Sequence, residues 1–275
     1  LSIIARPGFP FRPGKSTMDP AESVHNAFRT ALGEGRLPPR RSHYTLADAG
    51  VAASALVDLF HSQVLSRQLD RISRKLQARG EGFYTIGSSG HEGNAALAAT
   101  LRTGDMAFLH YRDAAFQIHR SKQVPGQTPL WDFLLSFAAS SEDPISGGRH
   151  KVLGSKALNI PPQTSTIASH LPKAMGAAFS VGLADRLGVE DRVMERDAIV
   201  LCSFGDASAN HSTAQGAINT AAWTAYQGSP MPVIFLCEDN GIGISTRTPK
   251  GWINASFSNR PGLEYVSCDG LDLLN

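Results

Sequence analysis

Two unbroken apolar runs, residues 198–204 (AIVLCSF) and 232–237 (PVIFLC), constrain the fold of this chain more than any other feature. Each is too short for a buried helix and has no polar alternation, which is the pattern of strands buried on both faces of a parallel sheet. Residues 212–226 between them have the length and composition of a helix. Strand, helix and strand make a βαβ unit, so the reading is an α/β domain with a parallel sheet and helices on both faces.

The flanking segments are compatible with that unit. Leu56, Phe60, Val64, Leu65, Leu69, Ile72 and Leu76 recur at spacings of three and four after a Thr45/Asp48 capping signal, predicting a long amphipathic helix that ends near Gly80. Further helices are expected over 91–101, from Asp113, and over the Ala- and Gly-rich stretch 173–187, with a short apolar segment at 106–111. Residues 140–166, rich in Ser, Gly and Pro, read as an irregular binding loop. Pro7, Pro10, Pro13, Pro20, Pro38 and Pro39 make residues 1–44 an extended arm of the kind that wraps a partner subunit, broken by a short helix around 21–32. Residues 45–275 form the expected domain.

Composition excludes several classes of function. Lys plus Arg number 26 against 24 acids, a net charge of +2, so no polybasic face for nucleic acid is present. The 3 cysteines lack metal-ligand or disulfide spacing, and Cys202 and Cys237 sit in apolar runs, as thiols do in a reducing cytoplasm. No apolar stretch approaches the roughly 18 residues of a membrane span, and no secretory signal is evident. No membrane partner is expected, and the predicted location is cytoplasmic.

Chemistry is expected where the two strands end. Open parallel sheets bind ligands beyond the carboxyl ends of their strands. The first run leads into Gly205, Asp206, Ala207 and Ser208, and the second into Glu238, Asp239, Asn240, Gly241 and Ile242. Adjacent parallel strands bring Asp206 and Asn240 together across 34 positions of sequence. One carboxylate and one amide carbonyl are too few for a self-sufficient Mg²⁺ cage, but Mg²⁺ completes its octahedron with phosphate oxygens and water, so the pair implies a phosphorylated ligand. Gly-Asp and Asn-Gly read equally well as turn chemistry when taken alone.

The segment from Gly205-Asp206 to Asp239-Asn240-Gly241-Ile242 and Ser245-Thr246 resembles the thiamine-diphosphate motif of the alpha subunits of 2-oxo acid dehydrogenases. The likeness extends to Gly82-Phe83-Tyr84, His91-Glu92, the run from Phe108 to Asp113, Gly148-Arg149, Gly154-Ser155-Lys156 and residues 165–172. It covers roughly residues 50–275. The resemblance implies a thiamine-diphosphate-binding fold. It also implies Mg²⁺ held by the side chains of Asp206 and Asn240 and the carbonyl of Ile242, and diphosphate gripped by Tyr111 and Arg112. Gly205, Ala207 and Ser208 would make main-chain contacts to the cofactor. Ser165 and Ile167 match the loop beneath the cofactor, although Ile167 reads equally as an ordinary core residue.

The implied reaction is oxidative decarboxylation of a 2-oxo acid, with a lean towards branched-chain substrates, and transfer of the acyl group to a lipoyl-bearing acyltransferase. The activating glutamate belongs to a beta subunit, so no catalytic residue is expected in this chain. It begins without Met and stops before the family's later phosphate-binding histidine, which predicts a C-terminally incomplete piece of a longer polypeptide, such as one fused to its beta half.

Departures from the family pattern are Ala207 for a glycine, Asp239 for an asparagine, His211 for an acid, and extra residues at 226–231. The loop at Gly148-Arg149-His150 is also short, so His150 inherits no role. Two other readings stand beside this one. Gly241-Ile242-Gly243 through Thr246 nearly matches a dinucleotide fingerprint but has Thr248 and Pro249 where a helix is needed. A non-catalytic assembly subunit of the same fold would account for the altered positions. A zinc enzyme is disfavoured because His91-Glu92 lacks the second histidine of H-E-x-x-H, and a hydrolase because Gly87-Ser88-Ser89-Gly90 is not G-x-S-x-G.

Overall fold

A computed structural model describes residues 20–36, 39, 42–83, 87–149, 152–163 and 165–275. Tyr84, His150 and most of the proline-rich arm lie outside the described residues. The chain divides between Arg40 and Arg41 into two units. In the first, α1 spans Pro20–Gly33, the short helix expected around 21–32. Proline at its start suits the donor-free first turn, and Glu22 there favours the helix dipole.

The second unit is built on a parallel sheet of β1 (Met106–Phe108), β4 (Val200–Gly205) and β5 (Val233–Glu238), in the order β1-β4-β5. Side chains alternate across it. Phe108, Val200, Cys202 and Phe204 face a core with α6 (Leu171–Arg186), α7 (Ser212–Tyr226) and α8 (Trp252–Phe257). Ala107, Leu109 and Leu201 face a second core with α2 (Ala53–Ala78), α3 (Ala95–Thr100), α4 (Ala114–Ser121) and α5 (Pro129–Phe137). Helices therefore cover both faces, as the continuous apolar runs predict. Ala174, Ala178, Ala214 and Ala217 are buried and let α6 and α7 approach closely.

β4, the central strand, is buried along its length until Gly205, but β5 pairs with β4 alone among the described residues and is only half-buried. The expectation of burial on both faces fails for β5, where Ile234 is 43% exposed. An edge strand has one neighbour, so its apolar run cannot be covered as completely.

α2 runs where its periodicity places it and ends as expected, with Gly80 at φ +72° just beyond. Its buried face is more polar than the stripe suggests. Ser62, Ser66, Asp70 and Ser73 are buried while Phe60 and Ile72 are exposed. Small serines admit α4, and Ser62 Oγ lies 2.9 Å from His119 Nδ1 on that helix.

The helix expected over 91–101 starts as a 3₁₀ turn at Glu92–Asn94 before α3. α5, with Pro129 in its first turn, was not legible as a separate element. The supposed binding loop at 140–166 contains an antiparallel hairpin, β2 (Leu153–Ser155) and β3 (Ile160–Gln163). Leu153, Leu158 and Ile160 bury almost completely and hold it to the second core, and Ala107 N donates to Asn159 O at 3.1 Å. After β5 come β6 (Ile242–Gly243) and β7 (Thr246–Arg247), an antiparallel ribbon. Among the described residues no helix is long and apolar enough to cross a membrane.

Candidate functional site at the strand ends

The register pairs Gly205 with Glu238, so the residues that follow β4 and β5 emerge side by side. Asp206 opens a 3₁₀ turn, Asp206–Asn210, and is 2% exposed. Its Oδ1 accepts from Ala207 N at 2.8 Å, and its Oδ2 accepts from Gly241 N at 3.1 Å and from the Thr248 hydroxyl. Every donor is neutral, and no ion pair reaches Asp206 among the described residues. A buried carboxylate in that condition fits a cation that the protein itself does not supply. Burial, and then the charge of Asp206 beside it, pushes the Asp239 carboxyl above its ordinary range. The Asn240 amide is fixed at both ends, with Oδ1 accepting from Ile242 N at 3.0 Å and Nδ2 lying 3.4 Å from His91 Nε2.

Facing this turn is a group of side chains that the spacing of histidines does not disclose. Ligand atoms of His91, His110, Asp113 and Glu238 lie within 4.8 Å of one another. Glu238 Oε2 accepts from His91 Nδ1 at 2.5 Å and from His110 Nδ1 at 2.9 Å, and Oε1 accepts from Asn94 Nδ2 at 3.2 Å. Burial alone would raise the Glu238 carboxyl, but the bonds from His110 and His91 hold it well below the usual range. Asp113 is pushed the other way, first by complete burial and then by the Glu238 charge. It accepts from the His110 main-chain N at 3.1 Å and from the Ser203 hydroxyl. Burial lowers His110. A charged residue closing an otherwise apolar strand was the one sequence signal for Glu238.

Tyr111 and Arg112 follow His110 directly. The Arg112 guanidinium donates to Gly87 O at 2.6 Å and lies 5.1 Å over the Tyr111 ring, whose centroid is 4.2 Å from that of His110. Half-buried and without a carboxylate partner among the described residues, Arg112 is not a solvated surface charge. Asp70 of α2 anchors the same turn, accepting from Ser88 N at 2.9 Å and Ser89 Oγ at 2.8 Å.

Ser165 and Ile167 are carried by a separate segment that leads into α6. Ile167 is 42% exposed, which removes the reading of an ordinary core residue. Next to it Ala168 is buried at φ +62°, a left-handed conformation that is uncommon outside glycine. His170 Nε2 donates to Ser203 O at 2.7 Å, tying this segment to β4, and burial pushes its imidazole down to about 4.

Residues 61–275 match the dehydrogenase E1 component family. The chain belongs to that family. Members use thiamine diphosphate with a divalent metal ion. Curated relatives include the mitochondrial 2-oxoisovalerate dehydrogenase subunit alpha of Mus musculus, 27% identical over 231 residues, which cover 82% of this chain and 48% of the relative. The 2-oxoisovalerate dehydrogenase subunit alpha of Bacillus subtilis (strain 168) is 27% identical over 232 residues, 82% of this chain and 64% of the relative. Subunit alpha 2 of Arabidopsis thaliana is 30% identical over 229 residues, 82% of this chain and 44% of the relative. The chain spans about half the length of the mitochondrial relatives it matches.

Two departures from the E1 pattern, Ala207 and His211, have local structural explanations. Ala207 is not among the residues with positive φ, so it does not need glycine's freedom. Its methyl fits because residue 243 is glycine: a Cβ there would lie 2.4 Å from the Ala207 Cβ. His211 is the N-cap of α7, its Nδ1 accepting from Thr213 N at 3.2 Å, a task the replaced acid could also perform. Gly241 to Thr246 forms the β6–β7 ribbon with no helix, which rules out the dinucleotide fingerprint. The altered positions thus give no separate support to an assembly-only subunit.

Proposed function

We propose that this chain is the cofactor-binding, alpha-subunit-like part of a 2-oxo acid dehydrogenase that decarboxylates a branched-chain 2-oxo acid and passes the acyl group to a lipoyl arm. The observation that carries this reading is Asp206, a buried carboxylate without a cationic partner among the described residues, one residue beyond the central strand of an E1-family chain. In this reading Asp206 and Asn240 hold Mg²⁺ with the Ile242 carbonyl. Arg112 and Tyr111 bind the diphosphate, where a guanidinium fork suits phosphate oxygens. Gly205, Ala207 and Ser208 offer main-chain contacts. Ser165 would offer its carbonyl to the cofactor's aminopyrimidine, and the exposed Ile167 side chain would support the cofactor from below. When bound, thiamine diphosphate supplies the nucleophilic carbon and the electron sink for loss of CO₂.

No acid that activates the cofactor is assigned to this chain. A beta subunit or fused beta half supplies it, and a lipoyl-bearing acyltransferase in a multienzyme complex receives the product. Residues 1–44 act as an arm and 45–275 as the cofactor domain. The branched-chain preference rests on the relatives' substrate, 2-oxoisovalerate. Free thiols at Cys202, Cys237 and Cys268 support a cytoplasmic location. Decarboxylation assays on the complete enzyme test the reading: 2-oxoisovalerate should be consumed faster than pyruvate. Turnover of neither would contradict it.

A further inference from the structure

The Asn240 side chain is useful to a metal only if its oxygen, not its nitrogen, faces the ion. Ile242 N–H is a donor, so the atom it meets at 3.0 Å is the amide oxygen, which keeps a second lone pair for a ligand. Asn240 Nδ2 therefore points at His91 Nε2, 3.4 Å away, and that ring nitrogen must accept. A ring that accepts at Nε2 carries its proton on Nδ1, and Nδ1 faces Glu238 Oε2 at 2.5 Å. Both constraints give the same tautomer independently.

Glu238 is itself held in place, since His110 donates to its Oε2 and Asn94 to its Oε1. The turn carrying His91 is held as well. His91 N donates to Ser88 O at 3.0 Å. Glu92 accepts from Gly90 N at 2.8 Å and from Arg67 Nε at 2.6 Å. Hydrogen bonds thus run from Asn94 of the 3₁₀ turn and His110 beyond β1, through Glu238 and His91, to the amide of Asn240, and Arg67 of α2 braces the same turn through Glu92.

Resting on the reading of Asp206 and Asn240 as metal ligands, we propose that His91 and Glu238 are positioning residues that hold the Asn240 carbonyl towards the metal. A carboxylate–histidine pair behind a metal ligand is a familiar device, and loss of such a partner weakens metal affinity by about 10- to 100-fold. Here the pair acts through an amide. The same four side chains, His91, His110, Asp113 and Glu238, have a donor set that can hold a divalent ion directly, but Glu238 Oε2 already serves both imidazoles. The short bonds within the group make it a hydrogen-bonded relay.

The test is the Mg²⁺ concentration that half-saturates thiamine diphosphate binding, measured by calorimetry on the complete enzyme. His91→Ala should raise it about tenfold or more, while cofactor affinity at saturating Mg²⁺ stays near wild type. Glu238→Gln, isosteric and leaving no cavity, should raise it in the same direction. His91→Gln, whose amide oxygen can stand in for the accepting Nε2, should restore most of the loss. An unchanged Mg²⁺ requirement in His91→Ala and Glu238→Gln overturns the proposal. So does an equal loss of cofactor affinity at every Mg²⁺ concentration, or a transition metal copurifying with cofactor-free enzyme and lost in His91→Ala. Asp206→Asn separates the two levels: if it leaves the Mg²⁺ requirement intact, the ligand assignment itself fails. If it destroys metal dependence while His91→Ala does not, only the relay fails.

Discussion

Asp206 and Glu238 stand at the same end of one sheet on paired strands, and both acids are largely removed from solvent, yet the protein accommodates them by different means. Asp206 meets two main-chain donors, Ala207 N in its own turn and Gly241 N beyond the neighbouring strand, plus the Thr248 hydroxyl. Glu238 is satisfied entirely by side chains from distant sequence, His91, His110 and Asn94. Main-chain donors remain whatever the side chains are, so Asp206 keeps its surroundings and its charge is left for an external cation. Glu238 has its charge consumed internally. The first acid reads as a ligand and the second as structure behind a ligand.

Truncating the two acids should separate these roles. Glu238→Ala strands two imidazoles and an amide beside the buried Asp113, and should cost about 3–5 kcal/mol in denaturant unfolding. Asp206→Asn retains an acceptor for the main-chain donors and should cost less. If Asp206→Asn proves the more destabilising, the contrast is wrong.

Next in size is a pH effect at His170, which ties the segment leading into α6 to β4. Burial holds His170 at about 4 in the folded protein, below its ordinary 6.5. The unfolded chain therefore binds this proton first as pH falls. The stability is fully present above pH 6.5, drains between pH 6.5 and 4, and amounts to about 3 kcal/mol. Unfolding curves across that range should be flatter for His170→Gln, and an unaltered slope would remove the assignment.

Gly243→Ala presses a methyl into Ala207 and should destabilise by about 1–3 kcal/mol. The double variant with Ala207→Gly should recover most of it, which a double-mutant cycle measures. Smallest is His211→Ala, about 1 kcal/mol for a lost cap, with no change in Mg²⁺ requirement if His211 is a cap alone.

The same contrast explains what the sequence disclosed. β4, α7 and the Asp206 turn are marked by local pattern, apolar runs with Gly-Asp punctuation, although β1, β5, Gly241 and Thr248, which they meet, lie far away in sequence. The E1 resemblance added Tyr111, Arg112, Ser165 and Ile167, which no spacing rule selects. Glu238 with His91 was invisible because 147 positions separate them and only the sheet register brings them together. The hairpin at 153–163 was missed because Pro161 and Pro162 argue against a strand, although β3 tolerates them in a two-stranded pairing. Local pattern likewise could not show that β5 has a single neighbour, and so its exposure was misjudged.

The central claim is that Asp206 holds a metal ion against the cofactor's diphosphate. Titration calorimetry of the complete enzyme with thiamine diphosphate, with and without Mg²⁺, for wild type and Asp206→Asn, tests it most directly. The account predicts Mg²⁺-dependent binding in wild type and loss of that dependence in the variant, with the fold intact by circular dichroism. Equal Mg²⁺-dependent affinity in both proteins would contradict it.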